Sequence, residues 1–266
     1  MTSQTELSWS ALARRWDTSG AAWNQPVAFR LIELAGLKEG MATADMGCGT
    51  GAVTIPAARI VYPARVTGID SSAAMVVRAR READHAGAGN VMFWSEDASS
   101  PTLEPGTLDA VLSSMVVSYL PSPATALQAW RGLLKPGGVL AFSWVKATDK
   151  EWEAAYDAVD AFLAPEDRWS AQRRRLTLTQ AEGFVSPGMR VTTTTEPVTT
   201  RYSSLGHWWE SQWTAAPALA WEHIPPEFRD SARQAAFARL AGLENRDGSL
   251  ERTRAVAYTI ARLAQS

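Results

Sequence analysis

Ala44-Asp45-Met46-Gly47-Cys48-Gly49-Thr50-Gly51 decides how the rest of this chain is read. A short apolar approach over Met41–Met46 leads into it, and a helical pattern over Ala52–Ile60 leaves it. A strand, a glycine-rich turn and a helix in that order make a place where a ligand rests against bare backbone. Glycine carries no Cβ to block the approach and adopts positive φ at low cost. The unpaired N–H groups at the start of the following helix favour a polar or anionic group. A G-x-G-x-G run alone is a weak signal, so its surroundings decide what it means.

Downstream the alternation continues. Val66–Ile69 reads as a strand ending in Asp70, and Ala73–Ala86 as a helix closed by Gly87. Val91–Trp94 is a third strand, with Asp97 just past it. Leu108–Ser113, reached through Glu104-Pro105-Gly106, is a fourth. Ala124–Leu134 is a helix stopped by Pro136-Gly137-Gly138, and Val139–Trp144 is a fifth strand. Near-continuous apolar strands separated by helices predict a parallel sheet covered on both faces.

Upstream, Trp9, Leu12, Ala13 and Trp16 recur on one helical face. Turn residues over 17–20 break that pattern, and a second helix runs from about Pro26 to Gly36. After Trp144 the rhythm changes. Trp152, Ala155, Tyr156, Val159, Phe162 and Leu163 mark an amphipathic helix. Arg173-Arg174-Arg175 and a segment from Leu176 to Phe184 follow. The Thr-rich run Met189–Tyr202 alternates like a strand, with an interruption expected near Pro197. Trp208, Trp209 and Trp213 fall on a helix, Phe228–Leu243 on another, and Thr253–Arg262 on a final strand. The two late strands are expected to add an antiparallel element to the sheet. The organisation read from this is an N-terminal helical cover over 1–40, then one domain over 41–266. Cap insertions are placed around 150–185 and 203–250.

Composition narrows the function classes. The chain has 266 residues, 46% hydrophobic and 20% charged, with net charge −2 and a pI of about 6.0. There is no global basic field for nucleic acid. Cys48 is the sole cysteine, which excludes intramolecular disulfides and thiolate metal clusters, and no His/Asp spacing resembles a metal-ligand set. The polar start lacks a signal-peptide core, and no run reaches the roughly 18–20 apolar residues of a membrane span. A cytoplasmic protein is the simplest expectation; homo-oligomerisation stays open. Twelve tryptophans are more than the length predicts.

Three features fall at the carboxyl ends of successive strands: the glycine turn, Asp70 and Asp97. Ligands of open α/β sheets bind along that edge. Asp70 lies 21 residues after Gly49, where a carboxylate accepts from both hydroxyls of a ribose. Asp97, one strand further out, is placed for an adenine amino group. The line reads turn, ribose, adenine.

With Asp45-Met46-Gly47-Cys48-Gly49-Thr50-Gly51, Gly68-Ile69-Asp70-Ser71-Ser72-Ala73-Ala74-Met75, Glu96-Asp97-Ala98, Leu108-Asp109-Ala110-Val111 and Leu133-Leu134-Lys135-Pro136-Gly137-Gly138 in order, the chain resembles the class I S-adenosylmethionine-dependent methyltransferases. Within them it is most similar to the small-molecule branch that includes quinone-biosynthesis enzymes. The resemblance is firm over Met41 to Val145 and looser beyond. It implies an α/β, Rossmann-like, seven-stranded and mostly parallel sheet with an antiparallel final strand. It implies S-adenosylmethionine as cofactor and a small-molecule acceptor, methylated at oxygen, nitrogen or carbon. Gly47, Gly49 and Gly51 would admit the methionine moiety; Asp45, read from the residues alone, either orders the loop or only satisfies backbone donors. Asp70 would hold the ribose, with Ser71 and Met75 near the adenine. Asp97 and the Ala98 N–H would meet the base, and Ser113 and Ser114 would border the sulfonium end.

Other readings compete. Gly47-x-Gly49-x-x-Ala52 with Asp70 also matches the nicotinamide dinucleotide fingerprint of an NAD(P)-dependent oxidoreductase. Asp97, the Lys135-Pro136-Gly137-Gly138 turn and the final strand pair favour the methyltransferase. A third class keeps the sulfonium cofactor for chemistry other than transfer. For the acceptor, Trp16, Trp23, Tyr119, Trp144 and Trp208 are candidate pocket residues, which would suit a flat, aromatic or apolar specialised metabolite. His207 and His223 are candidate general bases. Arg173-Arg174-Arg175 reads as a solvated face or as a receiver for an acidic substrate.

Overall fold

Thr43–Met46 (β1) is buried at every residue, which puts it inside a sheet and fixes the rest of the topology around it. In a computed structural model of the chain, residues 4–13, 15–16, 23–172, 175–185 and 187–265 are described, with the side chains of residues 4–8 and 172 outside that description. The expected turn over 17–20, and Arg173 and Arg174, lie outside the described residues.

Val66–Asp70 (β2), Val91–Ser95 (β3), Leu108–Ser114 (β4) and Leu134–Thr148 (β5) run parallel with β1. Met189–Tyr202 (β6) and Leu250–Leu263 (β7) complete the sheet in the order β3-β2-β1-β4-β5-β7-β6. β7 is antiparallel to both of its neighbours. A dinucleotide-binding sheet of order 3-2-1-4-5-6 has no such reversed strand inserted before its last one.

Helices cover both faces. Asn24–Ala35 (α2) ends where Gly36 takes φ 70° and caps it, after the helix Gln4–Ala13 (α1). With Thr54–Val61 (α3), α2 buries Val27, Leu31, Ala57 and Val61 against Leu112, Ala141 and Tyr258. Ala73–His85 (α4) packs Val76, Ala79 and Ala83 beside Phe93. Pro123–Gly132 (α5) and, later in the chain, Leu178–Val185 cover the other face with Leu127, Trp130 and Val185. A separate core gathers the helices after β5, namely Lys150–Asp160 (α6), Trp169–Gln172 (α7), Leu205–Gln212 (α9), Ala218–Trp221 (α10) and Arg229–Leu240 (α11), Leu178–Val185 being α8. No helix among the described residues is long and apolar enough to cross a membrane.

Three expectations change. β5 begins at Leu134, so Pro136-Gly137-Gly138 lies inside the strand rather than before it; Gly137 at φ 79° carries the irregularity. β6 runs through Pro197 in unbroken register with Ala255, because an edge strand tolerates a missing N–H. β7 starts at Leu250, three residues earlier than expected, which brings Arg252 into the sheet.

Candidate active site

The chain leaves β1 through a turn whose three glycines all take positive φ. Gly47, Gly49 and Gly51 have φ of 73°, 53° and 93°. A Cβ on Gly47 would sit 2.4 Å from Val116 Cγ2, and one on Gly51 2.8 Å from Ile55 Cδ1. Protein side chains fill those two positions, so packing demands these glycines. A Cβ on Gly49 would meet no protein atom within 4 Å, which leaves its backbone open to the cavity beside it. Met115 holds φ 63°. A non-glycine residue there is uncommon and marks local strain, and it hands the chain to Val116 over the turn.

Carboxylates order this edge. Asp45 is buried, and its Oδ2 accepts from Thr54 N at 3.0 Å and Thr54 Oγ1 at 2.6 Å. It thereby ties the end of β1 to the start of α3. Burial, opposed by those two bonds, pushes its carboxyl up to about 7. Asp70 Oδ2 accepts from Gly49 N and its Oδ1 from Ser72 N, both at 2.9 Å. Burial raises Asp70 as well. Asp97 Oδ1 accepts from the N–H and hydroxyl of Ser99 at 2.8 Å, and Trp130 Nε1 donates to Ala98 O at 2.6 Å, fixing that loop. Cys48 is buried in the turn, and burial drives its thiol well above its ordinary range.

A cavity of about 1390 Å³ opens along these residues. A single-ligand pocket is about 300–1,000 Å³, so two molecules fit. Asp45, Gly47, Gly49, Gly51, Asp70, Ser71, Met75, Asp97, Ala98 and Ser114 line it, as do Trp16, Trp23 and Tyr119. Trp9 meets Tyr119 edge-on at 5.5 Å, and Tyr119 meets Trp169 at 6.0 Å, so these rings form one wall.

Five expected site residues lie elsewhere. Ser113 is fully buried and donates to Met46 O at 2.8 Å, a bond that ties β4 to β1. Trp144 is buried in the sheet core and Trp208 in the core of the late helices; neither lines the cavity. His207 takes hydrogen bonds from Ser203 at the start of α9, and His223 pairs with Asp167 at 3.0 Å. Both are surface groups outside the cavity, so the general-base assignments fail on placement. Arg175 pairs with Glu153 on the surface. Sequence reading passed over Met115, Val116, Tyr156, Trp169, Tyr202, Gln212, Arg252 and Arg254, all of which line the cavity.

Residues 44–138 match a family described as a methyltransferase domain. Over 95% of the chain, and 96% of the relative, it is 29% identical to the nocamycin O-methyltransferase of Saccharothrix syringae. Residues 44–138 are a methyltransferase domain of the class I, S-adenosylmethionine-dependent type. The aklanonic acid methyltransferase DauC of Streptomyces sp. strain C5 is 33% identical over 48% of the chain and 59% of its own length. A SAM-dependent methyltransferase from Aquifex aeolicus shares the fold, with a TM-score of 0.53 at 21% identity over 71% of this chain and 92% of that one. S-adenosylmethionine, the cofactor of this methyltransferase, fits the residues present. The open side of Gly49, the Asp70 and Asp97 carboxylates and the Ala98 loop face one cavity.

Proposed function

We propose that this methyltransferase acts on a small, flat and largely apolar acceptor of specialised metabolism, with oxygen as the accepting atom. One observation carries the reading: a single cavity has an acidic, glycine-turn end under β1–β3 and an aromatic wall of Trp9, Trp16, Tyr119 and Trp169. The likeness to an O-methyltransferase along nearly the whole chain supports oxygen. In this reading Asp70 binds the ribose hydroxyls, and Asp97 and Ala98 bind the adenine. The backbone at Gly49 approaches the methionine portion, and Ser71, Met75 and Ser114 close around it. Asp45 orders the turn from behind. When bound, S-adenosylmethionine supplies a methyl group already activated by its sulfonium, so the chain's own task is alignment and exclusion of water. In this reading the described part of residues 1–40 acts as a cover on the domain 41–266, and the helices within 150–185 and 203–250 act as a cap, except α8, which packs on the sheet.

Calorimetric titration with S-adenosylhomocysteine and with NADH, followed by mass spectrometry of aromatic acceptors incubated with S-adenosylmethionine, tests this. Binding of S-adenosylhomocysteine alone, with a methylated product, is expected. NADH binding without S-adenosylhomocysteine binding would overturn the cofactor sites. Cofactor binding with an altered but unmethylated product would point to chemistry other than transfer.

A further inference from the structure

Arg252 and Arg254 stand two residues apart on β7, so they share one face of the strand, and both line the cavity. Because β7 runs against β5, its first residues lie at the carboxyl edge of the parallel strands, where ligands of this architecture bind. Arg254 is level with Thr148, the last residue of β5. The two arginines are 6% and 5% exposed.

Among the described residues their partners are neutral. Arg252 donates from Nη1 to Tyr156 Oη at 2.6 Å and from Nε to Thr148 Oγ1 at 3.4 Å. Arg254 donates from Nη1 to Thr200 Oγ1 at 3.0 Å and from Nη2 to Tyr202 Oη at 3.5 Å. The Arg252 guanidinium lies 4.7 Å from the Tyr156 ring, and that of Arg254 4.5 Å from the Trp23 ring. No carboxylate of a described residue pairs with either, whereas the more exposed Arg15 and Arg175 each have one and Arg30 and Arg201 two. A guanidinium remains charged inside a protein, and burying one without a counter-charge is costly. Burial and the neighbouring Arg252 push Arg254 down to about 10. Its surroundings are therefore arranged for an anion that the described residues do not supply.

We infer that Arg252 and Arg254 receive a carboxylate of the methyl acceptor, so that the acceptor is an anionic molecule with an apolar body. This rests on the transferase reading above. The cavity's acids, Asp45, Asp70, Glu96 and Asp97 at the ends of β1–β3 and Glu82 on α4, gather at one side, and β4 and β5 stand between that side and β7. An acceptor with an acid at the β7 end and rings toward Tyr119 and Trp169 spans the cavity in one orientation. Tyr156 is a positioning residue: its hydroxyl accepts from Arg252 and donates to Gln212 Oε1 at 2.5 Å. Gln212 Nε2 in turn donates to Trp208 O at 3.1 Å. Arginine matches a carboxylate with two parallel N–H bonds, a geometry lysine lacks.

The test is calorimetry on the full chain saturated with S-adenosylhomocysteine. The titrants are benzoate, 2-naphthoate and 9-anthracenecarboxylate, each against its neutral carboxamide. At least one acid is expected to bind about tenfold or more tightly than its amide, as a charge-assisted pair requires. Arg252→Met and Arg254→Met should each abolish that preference while S-adenosylhomocysteine affinity stays within about twofold. Arg252→Lys should restore part of it. If no acid exceeds its amide on the wild-type chain, the assignment is overturned, whatever the variants do. If the methionine variants lose S-adenosylhomocysteine affinity instead, the arginines hold the cofactor's own carboxylate and the acceptor assignment falls. A wild-type chain that does not bind S-adenosylhomocysteine fails differently, by removing the transferase reading itself.

Discussion

Gly47 and Gly49 sit two residues apart in one motif, yet the space beside each is occupied differently. At Gly47 a methyl group would strike the branched side chain of Val116, which is short, stiff at χ1 and cannot swing away. At Gly49 it would strike nothing in the protein. Gly47→Ala should therefore lower the thermal midpoint of the ligand-free protein, and adding Val116→Ala should recover part of the loss. Gly49→Ala should cost only about 1–2 kcal/mol of stability for a side chain at positive φ, but weaken S-adenosylhomocysteine binding by at least about tenfold, or 1.4 kcal/mol. Thermal melts and calorimetry on the same variants check both. Equal binding losses with equal midpoints would show that the ligand approaches some other part of the turn. The motif itself was legible because glycine's role at positive φ is local. Which glycine leaves its Cβ position open to the cavity was not, since Val116 and Ile55 reach the turn only through the fold.

The same division recurs at the scale of elements. The order of strands and helices could be read from apolar runs and turn residues, and Asp70 and Asp97 from their places at strand ends. What could not be read was burial. Trp144 and Trp208 carry the same side chain as Trp16 and Trp23, but β5 and α9 point theirs into cores. Arg252 lay just outside the expected strand, and a missing counter-ion is a property of all its neighbours at once. Trp208 on α9 stands among Trp152, Tyr156, Trp209 and Trp221, at centroid distances of 5.7–6.2 Å. Trp208→Ala should destabilise the chain by about 3–5 kcal/mol in urea denaturation, as large core truncations do. It should also loosen Gln212 and Tyr156, so carboxylate affinity should fall further than cofactor affinity. A loss below about 1 kcal/mol would place Trp208 outside any tightly packed core.

For the molecule as a whole, the buried carboxyls at the end of β1 and β2 couple folding to pH. The Asp45 carboxyl is raised from 3.8 to about 7, chiefly by burial, with the Asp70 charge adding to it. A raised carboxyl binds its proton more tightly in the folded state than in the unfolded chain. Its favourable contribution is then complete below about pH 4 and is lost as pH rises through 7. Each tenfold gain in proton affinity on folding corresponds to about 1.4 kcal/mol, so a change of this direction and size is visible in a melting curve. Thermal midpoints should fall between pH 5 and pH 8, by roughly 5 °C or more at about 2–4 °C per kcal/mol for a chain of this size. Asp45→Asn keeps an oxygen for the Thr54 N–H and hydroxyl but removes the titration, so it should flatten that slope and be the more stable form, relative to wild type, at the alkaline end. Asp70 is raised in the same direction and remains in both proteins, so the difference between the two curves reports Asp45 together with its charge coupling to Asp70. Parallel curves for wild type and Asp45→Asn would mean that Asp45 is ionised throughout, held as an anion by Thr54 despite its burial.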